Sequence, residues 1–296
     1  MAHVSRPALL MAVLVGSGGA AWSQPQMLGS GDPPCARLEP DAGAVGWRAA
    51  MAELVLAPTP PDEYWKAFAE VQASAPAGDR RRNEELLAAD WANLCRYEEA
   101  NAALRTAVKP SVVFMGDSIT EGWVGGDPTL FAGGNVGRGI GGQTSPKMLV
   151  RFWQDVVALE PRAVHIMVGT NDIAGNTGPA TVESYRANLL AVIALARANG
   201  IAVVLAAVPP SRRLYWRELD PRPWIRELNE WLRATAAQQG LEFVDYGTVL
   251  ADAEGGLRAD LGNDGVHPNR AGYAAMRPLA EGAIAAVLKR SAAATR

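Results

Sequence analysis

From Lys109 onward, short apolar runs alternate with longer amphipathic stretches. Five runs read as strands: "SVVFMG" (111–116), "GGNVG" (133–137), "RAVHIMVG" (162–169), "GIAVVLAAVP" (200–209) and "LEFVDY" (241–246). The second is the weakest. Four amphipathic stretches read as helices: Ser145 to Leu159, Thr181 to Asn199, Pro223 to Gln239 and Asn269 to Arg290. Near-continuous apolar strands that alternate with helices imply a parallel sheet covered on both faces. The expected fold is α/β: a doubly wound, three-layer α/β/α sandwich with a roughly five-stranded parallel sheet of flavodoxin type. No internal repeat is present.

The pattern upstream differs. Met1 to Arg6 carries one arginine, Pro7 to Val15 is a short apolar block, and Ala21 and Ser23 stand in a small-residue cleavage pattern. This reads as a secretory signal peptide over 1–23, too short in its apolar part to span a membrane. Gln24 to Pro61 is rich in Pro, Gly and Ala, with a helix-like piece at Gly46 to Leu56. Asp62 to Ala107 looks helical. Within Glu84 to Leu104 apolar residues recur at helical spacing: Leu87, Trp91, then Leu94 and Cys95, with Tyr97 following. We expect 24–107 to be a helical extension packed on a main domain of 108–296.

Composition adds bounds. A 296-residue chain with 49% hydrophobic residues can fill one full core. A net charge of −3 gives no reason to expect nucleic acid or an anionic membrane as partner. The sequence leaves the oligomeric state open, a monomer included. Two cysteines, Cys35 and Cys95, are too few for a cysteine-based zinc site. In an exported protein they can pair as a disulfide; two unpaired buried thiols are the other option.

The polar residues that stand out cluster after strands, where ligands bind in such sheets. Ser118 in "GDSIT" lies at an abrupt strand-to-helix transition, as a nucleophile or as part of a helix cap made by Asp117 or Ser118. Thr120 stands where the G-x-S-x-G elbow needs its second glycine, which argues against an ordinary α/β-hydrolase. Asn171 in "GTNDI" is an oxyanion donor or a loop residue bonded to its own backbone. Asp172 beside it raises metal binding, but the scattered acids and the lack of a histidine pair make no metal or other cofactor the expectation. Of three histidines, His3 falls in the signal segment and His165 sits among apolar neighbours, as a core histidine would. His267 in "DGVHP" is the one candidate for a neutral-pH base, with Asp264 three residues earlier to orient it.

"GDSIT", a glycine loop with Gly142, "GTND" and "DGVH" occur in this order, and the stretch from Val112 to Leu288 resembles the SGNH, or GDSL, hydrolase family. The resemblance implies Ser118 as nucleophile, His267 as base and Asp264 as its partner. It implies an oxyanion hole from the Ser118 N–H, the Gly142 N–H and the Asn171 amide. The implied activity is ester hydrolysis without a cofactor, on a small-molecule or glycan ester. No apolar, flexible segment suggests a lipase lid, so a short acyl group such as acetyl is expected, on an exported carbohydrate or similar alcohol. The family also admits lysophospholipase-like, arylesterase and thioesterase activities. Trp123 and Trp216 are candidate stacking faces, with core packing as the alternative for each. Arg212 is a candidate partner for a substrate carboxylate, or a solvated loop residue. A non-catalytic binding module and a nucleotide-binding protein are the competing classes. The latter is raised by "GRGIGG" (137–142), which fits the dinucleotide fingerprint G-x-G-x-x-G. That motif follows the second strand and lacks an acid at the tip of a next strand, so a pyrophosphate cradle is disfavoured.

Overall fold

The computed structural model describes residues 35, 42–76 and 79–294. The expected signal segment lies outside them. In chain order the helices and strands are α1 (Ala42–Leu56), α2 (Pro61–Ala73), α3 (Asp79–Ala89), α4 (Glu98–Arg105), β1 (Val112–Gly116), α5 (Ser118–Gly126), α6 (Pro128–Phe131) and β2 (Asn135–Gly139). Then follow α7 (Ser145–Asp155), β3 (Ala163–Met167), α8 (Thr170–Ala174), α9 (Val182–Ala198), β4 (Ala202–Ala206), α10 (Arg222–Gln239), β5 (Glu242–Val244), α11 (Gly247–Leu250) and α12 (Arg270–Ala294). The five strands form one parallel sheet in the order β2-β1-β3-β4-β5. The chain runs outward from β1 to β2 and then returns past β1 to β3. The carboxyl ends of β1 and β3 therefore flank the point where the winding reverses, which is where such sheets open a crevice.

Alternation of side chains along the strands makes two cores. Val113, Met115, Val164, Ile166, Val203 and Leu205 face one side, under α7, α9 and α10. Val112, Phe114, Ala163, Met167, Val204 and Ala206 face the other, under α5, α11 and α12. Leu56 at the end of α1 joins this second core, so the extension shares it.

The extension is stitched to the main domain on two sides. Asn263 donates to the carbonyls of Leu54, Val55 and Ala57 at 3.2, 3.0 and 2.6 Å, just before the loop that carries His267. On the other side, Gln143 donates to the Ala92 carbonyl at 2.8 Å, and Asn101 donates to Asp155 at 2.6 Å. The helix expected across Glu84 to Leu104 is interrupted. Asn93 takes a left-handed conformation (φ 59°), and the Asp90 carboxylate accepts from the Leu94 and Cys95 N–H groups at 2.8 Å each. A side chain that satisfies two backbone donors competes with the helix ladder. Leu87, Trp91 and Leu94 are consequently solvent-exposed rather than on one packed face. Cys95 is joined to Cys35 in a disulfide that spans 60 residues of sequence.

Candidate active site

Ser118 is the first residue of α5, directly after β1. Asp117 precedes it as N-cap, its carboxylate accepting from the Ile119 N–H at 3.0 Å. The first amides of a helix have no internal acceptor, so the Ser118 N–H faces the rim at the positive end of α5. Its hydroxyl Oγ lies 2.9 Å from His267 Nε2. The other ring nitrogen, Nδ1, lies 2.6 Å from Asp264 Oδ2. The second oxygen of Asp264 accepts the N–H groups of Val266 and His267, each at 2.8 Å. One carboxylate thus folds its own loop and holds the imidazole. Its side chain is 1% exposed, against 15% for His267.

The electrostatics of the pair follow from this placement. Burial opposes charge on His267, but the Asp264 carboxylate, its hydrogen bond and the more distant Asp117 outweigh it and raise the imidazole pKa. Burial also opposes charge on Asp264, and the His267 charge with the hydrogen bonds outweighs that, holding the carboxyl low. An arrangement of this kind can take a proton from Ser118 and stabilise the imidazolium that results.

The other rim residues come from the ends of β2 and β3. Asn171 donates from Nδ2 to Asp117 Oδ2 at 3.2 Å, which leaves its second amide hydrogen for another acceptor. Asp117 is fully desolvated, which pushes its carboxyl up to about 6 against the pull of the Ile119 hydrogen bond. Asp172, beside Asn171, accepts from Ser145 N at 3.0 Å and from Ser145 Oγ at 2.6 Å, at the start of α7. That contact binds the Asn171 turn to the glycine loop. It also gives Asp172 a structural role.

The glycine loop divides into two jobs. Gly137 and Gly139 belong to β2, two residues further than the strand read from sequence. A Cβ on Gly139 would run into the Glu121 backbone nitrogen of α5, so this glycine permits close strand-to-helix approach. Gly142 has φ 74° and nothing within 4 Å of where a Cβ would stand. Its constraint is conformational, and the residue is exposed on the loop that follows β2.

One expectation needs correction, and three other candidates find their surroundings. Trp123 is completely buried and packs on Phe114, His165, Tyr246 and Tyr273. The inner face of α5 turns it into the core, so it offers no stacking surface to a substrate. Arg212 is engaged by Asp252 at 3.3 Å and by Glu254, so its charge is already answered. Trp216 is half-buried, and its Nε1–H is committed to Asn176 Oδ1 at 3.0 Å. His165 is the core residue expected from sequence: it bonds the Tyr246 hydroxyl at 2.9 Å, and burial depresses its pKa to about 3.

Two contributions were not read from sequence. Asp117 stood in "GDSIT" as part of a possible cap, and the signal for its second partner lay 54 residues away. The extension supplies Trp65 and Phe68 of α2, which pack on Tyr215 near Asp264, with Tyr64 behind them. Nothing local in "PDEYWKAF" points to that neighbour.

A profile described as the GDSL-like Lipase/Acylhydrolase family matches residues 114–275. The chain belongs to that family, and is therefore a hydrolase of ester substrates. A GDSL-like lipase from Bacteroides thetaiotaomicron VPI-5482 is 40% identical, with 66% of this chain and 98% of that one covered and a TM-score of 0.63. A Bacteroides fragilis protein provisionally named an acylhydrolase is 42% identical over 67% of this chain and 99% of its own, with a TM-score of 0.64. An uncharacterised lipoprotein of Bacillus subtilis is 30% identical over 141 residues, which is 41% of this chain and 58% of that lipoprotein. Among the described residues no helix is long and apolar enough to cross a membrane.

Proposed function

We propose that this chain is an exported serine esterase that removes short acyl groups, acetyl foremost, from a small-molecule or carbohydrate alcohol. The observation that carries the reading is the unbroken chain Ser118 Oγ, His267, Asp264, with contacts of 2.9 and 2.6 Å. His267 Nε2 takes the Ser118 proton as Oγ attacks the ester carbonyl. The oxyanion that forms is held by the Ser118 N–H, the Gly142 N–H and the second Asn171 amide hydrogen. Loss of one such donor costs about 2.7–4 kcal/mol of transition-state stabilisation. The imidazolium then protonates the departing alcohol, and water, activated by His267, releases the acyl group from Ser118. Residues 108–296 carry this chemistry, and α2 of the extension adds a wall beside it.

The substrate reading is supported by what borders the site. Trp65 is exposed, and Tyr215 and Trp216 are half-buried, so ring faces lie beside the triad where a sugar can stack. Export is supported by the N-terminal apolar block, by the Cys35–Cys95 disulfide and by the likeness to a lipoprotein. The test is a panel of p-nitrophenyl acetate, butyrate and octanoate with acetylated glycans, run with Ser118→Ala as control. The proposal expects the highest kcat/KM on acetate and none in the variant. Highest efficiency on octanoate would move the reading to a lysophospholipase-like enzyme, and full activity in Ser118→Ala would end it.

A further inference from the structure

Asn171 can serve an oxyanion only if its amide nitrogen, not its oxygen, points to the rim. Oxygen and nitrogen of an amide have nearly the same shape, so packing alone does not choose between them. The structure supplies a chain that does. Trp216 Nε1–H donates to Asn176 Oδ1 at 3.0 Å. Asn176 Nδ2 donates to Asn171 Oδ1 at 2.6 Å. Asn171 Nδ2 donates to Asp117 Oδ2 at 3.2 Å. An indole nitrogen only donates, and an ionised carboxylate only accepts. The two ends therefore set the direction of every bond between them, and both asparagines have one orientation.

The backbone builds the middle of this chain. α8 is a single turn, Thr170–Ala174, closed by Gly175 in the left-handed conformation (φ 66°). Gly175 N bonds the Asp172 carbonyl at 3.0 Å, and Asn176 N bonds the Asn171 carbonyl at 3.1 Å. This pair of bonds is a Schellman closure. It turns the chain back so that residue 176 sits over residue 171. The outer end is anchored by the extension: Trp216 packs on Tyr215 (4.8 Å between ring centroids), and Tyr215 packs on Trp65 and Phe68 of α2 at 5.3 and 6.1 Å.

We propose that Asn176 and Trp216 are positioning residues that hold Asn171 in the oxyanion-donating orientation, with the N-terminal extension backing the tryptophan. The inference rests on the role given to Asn171 above. Without the indole N–H or the Asn176 amide hydrogens, only the 3.2 Å bond to Asp117 holds the Asn171 amide, and the rotated form that presents its oxygen to the reacting centre gains population.

The experiment is a double-mutant cycle on p-nitrophenyl acetate, with each variant checked for a native circular dichroism spectrum. Asn171→Ala should lower kcat about 100-fold. Asn176→Asp keeps the shape of the side chain but cannot donate, and should lower kcat at least about tenfold; Trp216→Phe, which removes one hydrogen bond, should lower it about fivefold. KM should stay within about twofold in both, because an oxyanion contact acts in the transition state. In the Asn171→Ala background neither change should lower kcat further. If Asn176→Asp does not fold, Trp216→Phe and Asn176→Ser carry the same cycle. Losses that multiply in full in the Asn171→Ala background would overturn the proposal. So would full kcat in Asn176→Asp beside a reduced Asn171→Ala. Full kcat in Asn171→Ala itself would instead remove the oxyanion assignment, and the positioning role with it.

Discussion

Replacing Asp264 by Asn changes the chemistry of one atom and almost none of its shape. Oδ1 of Asp264 accepts two backbone N–H groups at 2.8 Å, and an amide oxygen can keep both. The atom that faces His267 Nδ1 at 2.6 Å becomes an NH2, which donates and does not accept. Nδ1 must then offer its lone pair, and the ring proton moves to Nε2, where Ser118 needs a base. The wrong tautomer should cost kcat about 10⁴-fold, which corresponds to about 5 kcal/mol of barrier. The sign of the pH effect is also fixed. Asp264 raises the His267 pKa, and activity is lost as pH falls through that value. With the charge gone, the acid limb of the residual activity should move to lower pH. Thermal unfolding should change little, because both loop hydrogen bonds survive. Asp264→Ala removes them and strands two buried donors, at about 1–3 kcal/mol each, so it should lower the melting temperature as well. Hydrolysis of p-nitrophenyl acetate across pH, beside unfolding followed by circular dichroism, separates the two variants. If Asp264→Asn keeps more than a tenth of wild-type kcat with its melting temperature unchanged, control of the tautomer by Asp264 is wrong.

Trp123→Ala should destabilise the fold by about 3–5 kcal/mol and leave KM for an acetate ester unchanged, since the ring is in the core; a raised KM in folded protein would contradict that placement. Reduction of Cys35–Cys95 should lower stability by about 4 kcal/mol if chain entropy dominates, read as a fall in urea midpoint with dithiothreitol that a Cys35→Ser variant does not show. Gly142→Ala meets open space but forces a left-handed alanine, at about 1–2 kcal/mol; kcat should fall more than KM rises, and unchanged kcat would remove this amide from the oxyanion site. His165 is held near pKa 3, below its ordinary 6.5, so the unfolded chain binds more protons between these values. Stability should therefore rise with pH from about 3 to 6.5, and the slope should flatten in His165→Asn; an identical slope would place the acid sensitivity elsewhere.

What the sequence alone determined was periodic or contiguous. The five runs read from sequence all appear as strands; β1, β3 and β4 were the plainest, because a strand buried on both faces is apolar at nearly every position, whereas β2 and β5 are only partly buried. The helices α9 and α10 fall within a residue or two of their amphipathic stretches. "GDSIT", "GTND" and "DGVH" carry their chemistry within a few residues, so short motifs revealed them. The tertiary structure alone decided which residues of the chain reach the site and in what orientation. Trp123 and Trp216 look alike in sequence, yet one turns into the core and the other bonds Asn176. The break at Asn93 came from a carboxylate that outcompeted the helix ladder. Asp117 meets Asn171, and α2 meets Tyr215, through contacts between segments far apart in the chain. Hydrophobic periodicity records how each segment faces its own layer. The direction of a hydrogen bond between two such segments depends on their packing, and no local pattern encodes it.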